Sequence, residues 1–553
     1  MIGLRRLILA LAFGAIPLTA SAQVPNPNET VDKMLAQEQL EMRQLRQYSP
    51  LVETYIQYLR PDKQHGETPD GDKYFLGRAQ LMNGIEIAPI NRDAGVKHKI
   101  FGGVGGLFTT EFLPRGFLQM IYLDTNGFDK AHYKFEYVGR EFLGEVRCLV
   151  FDVSPLPRAG KGRFVGRLWV EDEGYHIVRF NGVYGGASLT SNYLNFDSWR
   201  VNVGKNLWLP AFVYSEGPSI HDPVAKNLGF RAFRAQTRLW GYDLGQSGKQ
   251  QEITKLLVEI PNKPVDRSEP NADYSPLQAS RAWDRTAETN VAERLERQGL
   301  MAPAGEVDRV LETVINNLEV TNNLDIQPEV RCRVLMTSTL EAFTMGHTIV
   351  LSRGLIDVLP DEASLAVVLA HELGHVVLHH RMDSQYAFFG HLRFDEKGTF
   401  RHFDFGRTEE EEQAADAQGI ELLQKSPYTE RLGTAQVFLQ SLQDRSKEVP
   451  NLVSPHLGDS VVTSRAISAS KLPPRDNPGQ NVVRVSPLPL GGRVKVDPWN
   501  DRLTLLKAES VEALTEDERK PLQITPIAFY LTRQIETNTN GAAAASLDPE
   551  TQP

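Results

Sequence analysis

The hydrophobic period changes once along this chain, and that change dictates its architecture. From Tyr74 to about Glu259 apolar and polar residues alternate, as in Tyr133-Lys-Phe135-Glu-Tyr137, Arg167-Leu168-Trp-Val170, Tyr175-His-Ile177-Val-Arg-Phe180, Phe196-Asp-Ser-Trp199, Leu207 to Val213 and Thr237 to Tyr242. A period of two marks half-buried strands, and strands at short spacing between Gly and Pro turns predict an antiparallel sheet curved into a partial barrel. From about Ser280 the spacing turns helical, with Val307, Val310, Leu311, Val314, Ile315 and Leu318 on one face. Two short β-rich runs, Arg333 to Met336 and Thr348 to Leu351, then predict a small sheet among the helices, and Arg493 to Asp497, Arg502 to Leu506 and Ile524 to Leu531 turn β-like again. The expected class is α+β: a β-rich, half-barrel-like domain, then a mainly helical domain with a small sheet, then a short β-rich C-terminal segment. The 553 residues exceed what one core organises.

Composition narrows the function classes. Apolar residues make up 41% and charged residues 24%, and the mean hydropathy is -0.33, which excludes a polytopic membrane protein and a wholly disordered chain. A net charge of -10 gives no chain-wide attraction for nucleic acid, so no nucleic-acid partner is expected. Residues 1–22 run from Arg5 and Arg6 through an apolar stretch, Leu7 to Leu18, to Ala20-Ser21-Ala22, the order of a cleaved signal peptide. The protein is therefore expected to be exported, periplasmic or secreted. Two cysteines, Cys148 and Cys332, lie far apart, either bridged between domains or as two buried free thiols.

The strongest helical pattern is Leu359 to Arg381, opened by Pro360-Asp361-Glu362, and it contains His371-Glu372-Leu373-Gly374-His375. Histidines four residues apart project from one helix face about 6 Å apart along the axis, so both imidazoles can reach one Zn²⁺. Glu372 then sits beside the ion, where a carboxylate can take a proton from water. A third ligand is required. Leu378 and Arg381 stand where a metzincin has Gly and His, and His379 lies about 12 Å along the axis from His371, too far to share its ion. There remains a second helix, Glu409 to Lys425, in which Glu412 and Asp416 share a face; they suit a ligand and a partner that orients a histidine. Glu409 to Glu411 read as a solvated helix start.

From Gly305 to Arg465, about a third of the chain, the sequence resembles the gluzincin zinc metallopeptidases, the group of HtpX, the CAAX prenyl endopeptidases and BepA. The resemblance rests on Glu341-Ala342-Phe343, Thr348 to Leu351, Gly354-Leu355, the His371 to His375 motif extended by Val376 and His380, and Glu412-Gln-Ala-Ala-Asp416 with Gly419. It implies one Zn²⁺ per chain on His371, His375 and Glu412, Glu372 as general base and Asp416 beside a ligand. It also implies a role for His456, as oxyanion stabiliser or as occupant of the open zinc position, and for Arg465. The family's order is His-Pro, whereas this chain has Pro455-His456, and an ordinary loop histidine is the other reading. Thr348, Ile349, Val350 and Leu351 are expected to form the edge strand that receives an extended polypeptide substrate.

The expected divisions are 1–22 signal peptide, 23–73 helical segment, 74–260 β domain, 261–300 linker and helix, 301–470 zinc metallopeptidase, 471–536 β-rich segment and 537–553 tail. The implied activity is zinc-dependent endopeptidase cleavage of polypeptides, misfolded envelope proteins among the expected substrates, with peripheral membrane association left open. The alternative is a lipid or lipoprotein carrier, or a chaperone-like assembly factor with a latent peptidase unit, since Gly166 to Val170 and Leu207 to Pro210 look somewhat like LolA-type half-barrels. The Phe-rich stretch Met382 to Arg407 is either a lid over the cleft or packing under a long loop.

Overall fold

The computed structural model describes residues 27–534 other than 64–65, 83–84, 91–113, 126, 186–193, 224–226, 228–230, 243–274, 389–402, 461–486, 492 and 507–519. The expected signal peptide, the linker around 261–274, Arg465 and the tail lie outside the described residues. Ten strands form one open antiparallel sheet: β1 (Leu51–Asp62), β2 (Gly66–Gln80), β3 (Glu86–Pro89), β4 (Tyr133–Leu143), β5 (Val146–Pro155), β6 (Arg163–Glu171), β7 (Ile177–Gly185), β8 (Asn195–Gly204), β9 (Leu207–Glu216) and β10 (Phe233–Trp240). Their order is β3-β2-β1-β10-β9-β8-β7-β6-β5-β4, a meander apart from the step that sets β10 beside β1.

The sheet begins at Leu51, not near Tyr74. Leu51, Tyr55 and Leu59, within the segment 23–73 expected to be helical, belong to β1. Residues four apart lie on one face of a helix, and they also lie on one face of a strand. Leu51 and Tyr55 point to one side of the sheet, Val52 and Ile56 to the other, and all four are buried, so no polar face marks the strand.

Each face of the sheet is covered. On one side, α1 (Pro27–Leu45) and α2 (Pro114–Gln119) bury Val31, Met34, Leu35, Phe117 and Leu118 against Val52, Ile56, Val213, Phe233 and Leu239. A fully buried Arg200 on β8 binds Glu38 of α1 through both terminal nitrogens, at 2.5 and 2.8 Å. On the other side, Leu51, Tyr55, Tyr74, Trp199, Phe212 and Trp240 share one core with the C-terminal half of the chain.

That half is mainly helical. It comprises α3 (Pro276–Arg297), α4 (Glu306–Thr321), α5 (Arg353–Val358), α6 (Glu362–Val377), α7 (Glu409–Gln424) and α8 (Leu432–Arg445) around strands β11 (Arg331–Leu335), β12 (Glu341–Met345), β13 (Thr348–Ser352) and β14 (Asp459–Ser460). The strand order is β11-β13-β12-β14, with β11 and β13 parallel and the other pairs antiparallel. The chain ends with a two-stranded sheet of β15 (Val494–Val496) and β16 (Leu503–Leu505). Ile524 to Leu531, expected to be a strand, makes only one bridge, from Ile524 to Leu490. Among the described residues no helix is long and apolar enough to cross a membrane.

Polar contacts fix how the halves meet. Glu53 on β1, 1% exposed, accepts the Ser338 backbone N–H at 2.6 Å, the Ser338 hydroxyl at 2.7 Å, the Tyr74 hydroxyl at 2.8 Å and the Arg353 guanidinium at 3.3 Å. Asp72 accepts the Tyr55 hydroxyl and the backbone N–H groups of Asn451 and Leu452, and Gln57 bonds Leu522 and Ile524 of the C-terminal segment. Cys148 on β5 and Cys332 on β11 are buried free thiols; burial pushes the Cys148 thiol up to about 12 and raises Cys332 as well. Replacing Glu53 by Ala leaves Arg353 buried without its carboxylate and is expected to lower stability by about 3–5 kcal/mol. Urea unfolding checks this, and the double variant E53A/R353M should recover most of the loss.

Candidate metal centre

Helix α6 is the buried axis of the site. Asp361 caps it, accepting the Ser364 N–H at 2.8 Å, and Ala366 to Val376 are all buried. The helix stops at Val377, four residues before the expected Arg381. His379 takes a left-handed conformation (φ 55°) that ends it. Helix α7 begins with a capping box of Thr408 and Glu411, so of its four leading glutamates Glu411 serves the helix end. Glu412 and Asp416, at 7% and 1% exposure, turn inward onto α6.

Two glycines let the helices approach. A Cβ on Gly374 would sit 2.6 Å from the Ala415 carbonyl oxygen, and one on Gly419 would sit 3.0 Å from that of Ala370. The small residues of both motifs thus bring the donor atoms together.

His371 Nε2 and His375 Nε2 are 3.3 Å apart, and each lies 3.3 Å from one carboxylate oxygen of Glu412. Tetrahedral bonds of about 2.0–2.1 Å to an ion would give ligand-to-ligand edges of about 3.3–3.4 Å, so the three side chains already have the dimensions of a zinc site. Both Glu412 oxygens are buried and make no well-aligned hydrogen bond, as expected for lone pairs that converge on a common point rather than on one another's protons. Burial works to lower the His371 imidazole and to raise the Glu412 carboxyl. The contacts outweigh it: Asp416 and Glu412 raise His371 to about 10, and the two histidines hold Glu412 down at about 2.

The supporting residues follow. Asp416 Oδ1 lies 3.5 Å from His371 Nδ1, and His380 Nδ1 lies 2.8 Å from His375 Nδ1. The Glu372 carboxylate is bound by the Thr344 hydroxyl of β12 at 2.6 Å. Sequence reasoning missed Thr344, because only tertiary structure sets that strand beside α6. It gave His380 no role, although its place in the extended motif was a signal.

One expectation changes. Thr348, Ile349, Val350 and Leu351 are not an edge: β13 is paired on both sides, with β11 and β12. The described edge nearest Glu372 is the end of β12, Phe343 to Met345, since β14 covers only Glu341 and Ala342. His456 stacks its ring on Tyr74 at 4.9 Å, and its backbone N–H binds Glu341 at 2.9 Å. The structure thus seats it against the large sheet. Within the Phe-rich stretch, Phe403 and Phe405 are buried and Phe405 stacks on Phe343, whereas Phe388 is exposed against Trp283 of α3. Phe389, His391, Phe394, Phe400 and His402 lie outside the described residues.

Residues 302–456 match the model of peptidase family M48, and this stretch holds α6, α7 and the whole donor set. No curated protein matches the chain. Among solved structures, a DUF1329 family protein from Desulfovibrio piger is 11% identical over 39% of this chain and 94% of that one, with a TM-score of 0.19. A putative outer membrane lipoprotein-sorting protein domain from Vibrio parahaemolyticus is 10% identical over 40% and 98%, with a TM-score of 0.19. Family M48 peptidases depend on zinc, and the donor set here fits that ion. Asp416→Asn removes the charge beside His371 and should weaken zinc affinity by roughly 10- to 100-fold, measured by competition with a chromogenic chelator.

Proposed function

We propose that the protein is an exported zinc-dependent endopeptidase acting on unfolded or extended polypeptides of the cell envelope. The observation that carries this reading is the convergence of His371, His375 and Glu412 on one point, with Glu372 alongside and bound to Thr344. The N-terminal Arg5-Arg6, apolar and Ala20-Ser21-Ala22 order supports export.

His371, His375 and Glu412 would hold Zn²⁺, which supplies Lewis-acid polarisation of a peptide carbonyl and acidifies water. Glu372 takes the proton from the attacking water and passes it to the departing amine. Thr344 sets the position of that carboxylate through its 2.6 Å hydrogen bond. His380 and Asp416 fix the ring orientations of His375 and His371. The edge of β12 from Phe343 to Met345, beyond its pairing with β14 among the described residues, pairs with the main chain of an extended substrate, which makes recognition largely independent of side-chain sequence. The Arg407 guanidinium donates to the Thr344 carbonyl at 3.2 Å and gives way when a substrate strand is added there.

Glu372→Gln keeps the three donors and removes the base. It is expected to bind zinc as the wild type does and to lose at least about 100-fold in cleavage of unfolded casein. Wild-type cleavage by this variant would remove Glu372 from the mechanism.

A further inference from the structure

A second site lies away from the zinc ligands, between the large sheet and the C-terminal segment. There a cavity of about 220 Å³ is lined by Val201, Phe212 and Trp240 from the sheet and by Val494, Ile527 and Phe529 from the C-terminal segment. Leu506 and Tyr530 also line it and are exposed, so its apolar wall continues to the surface.

The charged lining of this space is mainly cationic. Arg238 on β10 lines the cavity, is 7% exposed and has a buried Nε with no hydrogen-bond partner. No carboxylate among the described residues lies within ion-pair distance of it. Glu53, directly across the strand pair, is committed to Ser338, Tyr74 and Arg353. Asp357, another acidic group near Arg238, accepts the backbone N–H groups of Gly491, Arg493 and Val494. Arg353 and Lys495 line the same cavity and add positive charge, against one carboxylate, Asp501, which burial raises to about 6. Burial and Arg353 lower the Arg238 guanidinium to about 10, which leaves it charged at neutral pH. Buried arginines are ordinarily paired, because a lone charge in apolar surroundings is costly.

We propose that this cavity binds a single-tailed anionic amphiphile, a medium-chain fatty carboxylate, with its head group on Arg238 and its tail along the apolar wall. A guanidinium matches a carboxylate with two parallel hydrogen bonds. The volume fits as well, since a cavity of about 150 Å³ already accepts benzene. Acetate offers the charge without the tail, and decanol the tail without the charge; neither satisfies both walls and head. The site does not rest on the peptidase reading.

Calorimetric titration of the purified full-length protein with decanoate, decanol and acetate tests this. Decanoate is expected to bind at least tenfold more tightly than decanol, with no measurable heat from acetate. Arg238→Met, which keeps an unbranched apolar stem and removes the guanidinium, should weaken decanoate at least tenfold and leave decanol unchanged. No decanoate binding, equal affinity for decanoate and decanol, or unchanged decanoate affinity in R238M would each overturn the proposal. Should R238M fail to fold, the wild-type preference for decanoate over decanol and acetate decides it.

Discussion

One buried carboxylate, Glu53, links the two halves of the molecule. It sits on a central strand of the large sheet and takes up the backbone and hydroxyl of Ser338 together with Arg353 at the start of α5. A charge at 1% exposure is tolerable only while such donors surround it, so the sheet and the segment around Ser338 are held in one relative position. From there the constraint passes to the site. Glu341, fully buried, accepts the Thr339 hydroxyl and the backbone N–H groups of His456 and Leu457. Three residues further along the same strand, Thr344 binds Glu372. The β-rich half thus forms part of the support for the strand that borders the proposed cleft.

The cluster of donor side chains is legible in the sequence because it is local. Two histidines four apart on one helix, and a carboxylate pair four apart on another, need nothing beyond helical geometry to be recognised. Gly374 and Gly419 were visible as parts of motifs, yet their purpose shows only when the helices are seen in contact. What the sequence hid is non-local. Thr344 acts through a strand whose neighbours are set by tertiary pairing, and Thr348 to Leu351 look like any short apolar strand until β11 is found on its far side. β1 was obscured for another reason: Glu53, Thr54 and Gln57 are polar residues buried by partners from distant segments, which erases the alternation expected of a half-exposed strand. Ile524 to Leu531 has the composition of a strand, but Ile524 donates its backbone N–H to the Gln57 side chain rather than to a ladder.

The cluster of His371, His375 and Glu412 and the side chain of Arg238 show the same physics with opposite signs. At the first, a carboxylate and two imidazoles are packed at 3.3 Å with few well-aligned hydrogen bonds among them, an arrangement that favours a cation. At the second, Arg238 and Arg353 border an apolar cavity while Glu53 and Asp357 are already engaged, an arrangement that favours an anion. In both, the buried polar atoms without partners mark where the fold leaves room for something other than itself.

The chemistry proposed for the site depends on a bound metal. Elemental analysis of the purified protein and of a His371→Ala variant tests it most directly. About one zinc per chain in the wild type, absent from the variant, is the result expected of a site built from His371, His375 and Glu412. A wild type that takes up no zinc even after incubation with the metal, or a variant that keeps it, would contradict the assignment.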